Sequence, residues 1–325
     1  MSVDDQIKER ARGCLLGQLT GDALGSAVEF KDSYEIADRY PDGVRTLKDG
    51  GTWNLIAGQP TDDSEMALAL ARSLVAAGRF DTRLVADAYV RWLQSDPFDI
   101  GYTTSSGLEA ISAGRRATSG SQANGALMRI SPAGIFANAD PGLAARIAAK
   151  DALLTHPHPV CQSANAAYAA AIAIGIAGGD SADMWQAAHE HAASGSKYRS
   201  GAAPVRDRLE AARRGPPEDF QNQMGWVLTA FQNAFFHLLS GGALEDVVVW
   251  TVGSGGDTDT NAAIAGALLG SLQGEGSIPA QWRDAVLSCR PDENSATAHP
   301  RPEEYWPVDA LDLADRLVGI RAASA

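Results

Sequence analysis

The sequence predicts an all-α protein, a compact single-domain helical bundle spanning residues 1–325. Three observations carry this. Apolar residues recur at helical spacing in one segment after another. Alternating strand patterns are scarce. No strand–helix alternation and no GxGxxG turn is present. A hydrophobic content of 45% against 21% charged residues supplies an ample core.

The elements follow in order. In "GCLLGQLTGDALG" the glycines at 13, 17, 21 and 25 fall every fourth residue, and Gly266, Gly270 and Gly274 repeat the habit in "GALLGSLQG". A helical glycine costs about 1 kcal/mol against alanine, so two such ladders predict central helices whose backbones touch. The stretch 43–58 reads as a short hairpin or an ordered loop. Helical rhythm then runs through 65–78, 83–95, 141–154, 161–179, 224–242 and 261–274. Gly78, Gly178-Gly179, Gly241-Gly242 and Gly274 supply the stops. The locally basic stretch 194–221 predicts a surface excursion with a helix at 205–214. No Ser/Pro-rich linker divides the chain.

Charge and cysteines exclude several classes. A net charge of −13 opposes nucleic-acid binding, which needs clustered Lys and Arg. Cys14, Cys161 and Cys289 form no CxxC pair and imply no disulfide framework, which suits a reducing cytoplasm. The start "MSVDDQIKERARG" is not a secretory signal, and no run of 18 apolar residues spans a bilayer. The expectation is a cytoplasmic protein without a membrane partner, and a monomer, since no heptad seam or dimerisation arm is visible.

Two acidic clusters stand out: "PTDDSE" at 60–65 and "SGGDTDTN" at 254–261. Each precedes an alanine-rich helical run. Asp and Thr are good N-caps, and Asp62-x-x-Glu65 resembles a capping box. Yet a cap uses one side chain, and these clusters pack extra like charges into one turn. A hard divalent cation such as Mg²⁺ or Mn²⁺ relieves that crowding with oxygen ligands. Four aspartates and two threonines suffice for more than one ion.

"GCLLGQLTGDALGSAVEF" (13–30), "QPTDDSEMALAL" (59–70), "NGALMRISPAGI" (124–135) and "GSGGDTDTNAAIAGALLGSLQG" (253–274) together resemble the ADP-ribosylglycohydrolase family. Motif order and spacing agree over residues 10–290. The resemblance implies an all-helical fold with a binuclear Mg²⁺ or Mn²⁺ site between the clusters. The implied ligands are Thr61, Asp62, Asp63, Asp257, Asp259 and Thr260, with Thr258 in support.

It also implies hydrolysis at the anomeric carbon of ADP-ribose attached to a protein side chain, with free ADP-ribose as product. Glu29 matches a family glutamate at the metal site, placed to position water or protonate the leaving group. Asp99, in "DPFDIGYTT", matches an aspartate of arginine-directed members and tilts the expectation to N-linked ADP-ribosylarginine. For ADP-ribose, the "SGSQANGALMR" loop offers Ser121, Asn124 and Gly125 as a phosphate cradle. Gly255 and Gly256 allow close approach, Trp226 falls where relatives carry an aromatic near adenine, and His156 follows a Thr as the family's ribose or phosphate histidine does. A zinc site from His156, His158 and Cys161 lacks a fourth ligand. Two other readings stay open: hydrolysis of O-linked ADP-ribose, on serine or as a small-molecule ester, and a non-catalytic ADP-ribose-binding or toxin-immunity protein.

Overall fold

The structure, a computed structural model, describes residues 2–193 and 199–322, so residues 194–198 of the basic excursion lie outside it. Among the described residues fifteen α-helices follow one another: α1 (Val3–Gly25), α2 (Ser33–Arg39), α3 (Asp62–Ala77), α4 (Thr82–Gln94), α5 (Tyr102–Ser112), α6 (Ser131–Phe136), α7 (Pro141–Thr155), α8 (Pro159–Ile176), α9 (Ser181–His191), α10 (Ala202–Ala212), α11 (Val227–Ser240), α12 (Leu244–Gly253), α13 (Thr258–Gln273), α14 (Ala280–Ser288) and α15 (Ala310–Ala322). No strand forms among these residues. Two isolated bridges stand in for sheet, Gly50–Leu55 and Ala123–Trp226. The 43–58 stretch is therefore an ordered loop, turned by positive φ at Gly50, Gly51 and Asn54.

The glycine ladders are the axis of the fold. α1 and α13 make the most extensive helix pairing in the molecule. A Cβ on Gly17 would lie 2.3 Å from the Gly266 carbonyl oxygen, and one on Gly13 would lie 2.5 Å from that of Gly270. Both are far inside van der Waals contact, so only glycine permits the approach. The ladder continues through Gly21 against Ala262 and ends with Gly25 against the Asp259 backbone.

Around this pair the alanine-rich helices close a continuous core, in which Leu15, Leu16, Leu19, Met66, Phe231 and Phe235 are fully buried. α8 is long and apolar enough by composition to cross a membrane, but 89% of it is buried within the fold, where it serves as a core helix. The acidic clusters form the first turns of α3 and α13, so both helices begin three residues ahead of the predicted starts at 65 and 261.

Candidate active site and metal centre

Thr61 and Asp257 stand at the N-caps of α3 and α13, and neither side chain makes a capping bond. Asp32, Asp81, Asp140 and Asp180 do cap their helices elsewhere in the chain. Capping therefore does not account for the two clusters. Glu65 does not complete a capping box either. It accepts from Arg301 Nε and Nη2, each at 2.8 Å, and from Trp92 Nε1 at 2.7 Å.

Freed from capping, the side chains converge. Thr260 Oγ1 donates to Asp63 Oδ2 at 3.2 Å, joining positions 197 residues apart. Thr258 donates instead to the Gly25 carbonyl at 2.7 Å and pins α13 to α1. Carboxylate oxygens of Asp22, Asp63 and Asp259 lie within 4.8 Å of one another, as do those of Glu29, Asp99 and Asp259. Asp257 Oδ2 accepts from Asn124 Nδ2 at 2.7 Å. Asp63 Oδ1 is buried and has no hydrogen-bond partner.

Crowding shows in the electrostatics. Burial first, and then neighbouring carboxylates, push Asp62, Asp63 and Asp259 well above the usual carboxylate range. Burial and the charge of Asp257 carry Asp99 up to about 7, and burial and Asp99 carry Glu29 up to about 8. The buried guanidiniums of Arg129 and Arg301 are already committed to Asp151 and Glu65. The orphaned Asp63 oxygen and this pile of like charge fit a divalent cation with hard oxygen ligands.

Asp22 is a neighbour of the first cluster that sequence reasoning missed. Its carboxylate accepts from the Thr61 amide and hydroxyl and from the Ser64 amide and hydroxyl, the last at 2.5 Å. These bonds anchor the first cluster, and the same carboxylate stands with those of Asp63 and Asp259. The Thr61 hydroxyl lies between Asp22 Oδ1 at 2.9 Å and Asp63 Oδ2 at 3.4 Å.

The clusters floor a cleft of about 240 Å³ lined by Glu29, Asp62, Asp99, Asn124, Gly125, His156, Asp257, Asp259 and Thr260 among others. On one side Trp53 donates to Glu29 Oε2 at 2.5 Å, and its ring lies 5.7 Å from that of Phe98, which stacks on His299 at 4.5 Å. Arg301 donates to the Ser95 and Asp96 carbonyls at 2.8 and 3.3 Å, which holds the loop carrying Asp99. Trp53 and Arg301 also escaped the sequence reading.

Thr61 and Asp63 lie beneath this lining, and four predicted ADP-ribose contacts lie outside it. Ser121 Oγ accepts from the Ala123 amide, a turn-forming bond. Trp226 faces a neighbouring cavity, bonded to Gln122 and covered by the Arg208 guanidinium at 4.8 Å. Gly255 and Gly256 both have φ of 78°, and there the chain passes against Lys31 and Phe220. His158 caps α8 and Cys161 points to backbone carbonyls, so they share no metal position with His156.

The chain is 31% identical over 283 residues, 85% of this chain and 90% of the other, to the ADP-ribosyl-(dinitrogen reductase) glycohydrolase of Rhodospirillum rubrum. It is 27% identical, over 87% of this chain and 75% of the other, to the ADP-ribosylarginine hydrolase Tri1 of Pseudomonas putida. A solved structure described as an ADP-ribosylglycohydrolase-related protein complex superposes with a TM-score of 0.75 at 27% identity, covering 97% of this chain and 99% of that one. The family model for ADP-ribosylglycohydrolase matches residues 3–322, and with both acidic clusters meeting at one cleft, the chain belongs to the ADP-ribosylglycohydrolase family.

Proposed function

We propose that this protein is a divalent-metal-dependent hydrolase that releases ADP-ribose from N-linked ADP-ribosylarginine on proteins. The observation that carries the reading is the convergence of two distant acidic clusters beside a second pair of carboxyls, Glu29 and Asp99. Thr61, Asp62, Asp63, Asp257, Asp259 and Thr260 would hold two Mg²⁺ or Mn²⁺ ions. When bound, such ions supply orientation of substrate oxygens and activation of water.

The chain's own residues divide the remaining work. Asp99, in the cleft beside Glu29 and Asp259, can give a proton to the departing guanidine nitrogen. Glu29 is held through Oε2 by Trp53 and stands beside Asp259; with cations offsetting the neighbouring carboxylates it would be ionised, able to hold the attacking water and accept its proton. The C–N bond at the anomeric carbon breaks as the water oxygen bonds there. Asn124 orients Asp257, and Gly125 and His156 line the same cleft. The arginine linkage is supported by the carboxyl pair, which suits a guanidinium, and by the relative named as an ADP-ribosylarginine hydrolase.

The test is one panel. Arginine-linked, serine-linked and small-molecule ester ADP-ribose are each incubated with the protein and saturating Mg²⁺ or Mn²⁺. Release of free ADP-ribose fastest from arginine is the expected result. Release from serine alone would move the linkage. Binding of ADP-ribose without any release would leave a non-catalytic binder.

A further inference from the structure

Behind the cleft lies a buried relay that the catalytic scheme does not use. Arg129 is fully buried. Its Nε donates to Asp151 Oδ2 at 3.0 Å, and its guanidinium lies 4.4 Å from the ring centre of Tyr89, whose hydroxyl donates to the other Asp151 oxygen at 2.8 Å. Its Nη2 donates to Thr155 Oγ1 at 3.0 Å. A hydroxyl that accepts from a guanidinium still has its own proton to give. Among the hydrogen bonds of the described residues, the acceptor for that proton is His156 Nδ1 at 2.8 Å.

A neutral imidazole carries one proton. Were it on Nδ1, the Thr155 hydroxyl would be left as a buried donor without an acceptor, an arrangement that folded proteins avoid. With Nδ1 accepting, the proton sits on Nε2. That nitrogen is buried and has no partner within the protein, and His156 is one of the residues that line the cleft. Gly125 stands against it, where a Cβ would lie 3.1 Å from Nε2 and 2.7 Å from Thr104 Oγ1, so only glycine leaves this edge of the ring uncovered. Burial and the nearby Arg129 charge also push His156 down to about 3, so the ring stays neutral at working pH.

We propose that the Asp151–Arg129–Thr155 relay locks His156 in its Nε2–H tautomer and so presents a fixed neutral donor to an acceptor oxygen of bound ADP-ribose. Arg129 and Thr155 are positioning residues. The identity of the ligand rests on the function proposed above; the tautomer does not.

Nitrogen-15 spectra of the histidine rings in the ligand-free protein, with His156 assigned by loss of its signals in His156→Gln, read the tautomer directly. A protonated Nε2 and a bare Nδ1 from pH 5 to 8 are expected. Thr155→Val should release the lock, giving a mixture of tautomers, and weaken ADP-ribose binding by about threefold to tenfold in calorimetry with Mg²⁺ present. Thr155→Ser should preserve both. A wild-type ring protonated on Nδ1, or a Thr155→Val ring that keeps the wild-type tautomer, would overturn the relay. Should Thr155→Val not fold, the wild-type spectrum alone decides. A locked Nε2–H ring in a protein that does not bind ADP-ribose would sustain the relay and sink the ligand.

Discussion

The indole nitrogen of Trp53 and the Glu29 carboxylate are 2.5 Å apart, so a loop residue grips one of the two carboxyls beside the acidic clusters. The same ring packs edge-on to His299 at 6.3 Å and to Phe30 at 6.4 Å. Orientation of Glu29 is thus delegated to an aromatic wall. Trp53→Phe keeps that wall and removes the donor. Turnover should fall about tenfold, since hydrogen bonds to charged groups are the stronger kind. Glu29→Gln should cost about 10²–10⁴ in kcat. Steady-state release of ADP-ribose measures both, and equal rates for wild type and Trp53→Phe would remove the tryptophan from the scheme.

Stability of the metal-free protein should fall as pH rises. Asp22, Asp99 and Glu29 are lifted to about 6, 7 and 8, chiefly by burial. A carboxyl raised in the folded state binds its proton more tightly there than in the unfolded chain. Its contribution is therefore full below the unfolded value near 4 and is lost as pH climbs through the folded value. Thermal melts in chelator should show a steady decline in Tm from pH 5 to pH 8. Saturating Mg²⁺ or Mn²⁺ should raise Tm at pH 8 and flatten that slope. Asp259→Asn should lose most of the metal-induced rise. A flat chelated profile would contradict the crowding argument.

Arg301 and Glu65 form a buried pair 236 residues apart, with both side chains almost wholly enclosed. Arg301→Met leaves a carboxylate buried without its cation, a loss of about 3–5 kcal/mol. It also frees the Ser95 and Asp96 carbonyls, and with them the Asp99 loop. Urea unfolding should register the first effect and kcat the second. Pairing Arg301→Met with Glu65→Leu should recover much of the stability while kcat stays low.

Gly17→Ala sets two effects against each other. The alanine gains about 1 kcal/mol of helix propensity, but its Cβ would sit 2.3 Å from the Gly266 carbonyl oxygen. Overpacking of a rigid backbone contact costs about 1–3 kcal/mol or more, so the clash wins. Net destabilisation in urea is expected, whereas alanine at the exposed helical position Gly319, with open space around it, should be neutral or better. A stabilised Gly17→Ala would mean the two ladders do not touch.

Much of this was legible before any coordinates. Long alanine-rich segments have little choice but helix, and their glycine stops fall where the backbone turns left-handed, as at Gly78 and Gly241. The clusters were legible because "TDDSE" and "DTDT" hold more acid than a cap can use. Asp22 was not, because a lone carboxylate inside a helical motif looks like any polar residue until Thr61 and Ser64 are seen to fold onto it. Arg301 depends on a contact across most of the chain, and Trp53 sits in a loop without periodicity. Trp226 shows the opposite limit: its position could be read, but its facing depended on a bridge to Ala123.

The glycine ladder has a consequence for the spacing of the two acidic clusters. Asp22 holds the first, and Gly25 abuts the backbone of Asp259 in the second. The two attachment points are three residues apart on α1, a rise of about 4.5 Å along a helix axis. One helix thus acts as the caliper of the centre: the Asp22 carboxylate grips one jaw, the Gly25 backbone abuts the other, and helix pitch sets the distance between them. Sequence drift at the rim can retune what enters the cleft, whereas a single inserted residue between Gly17 and Asp22 would twist the caliper by about 100° and undo both grips at once.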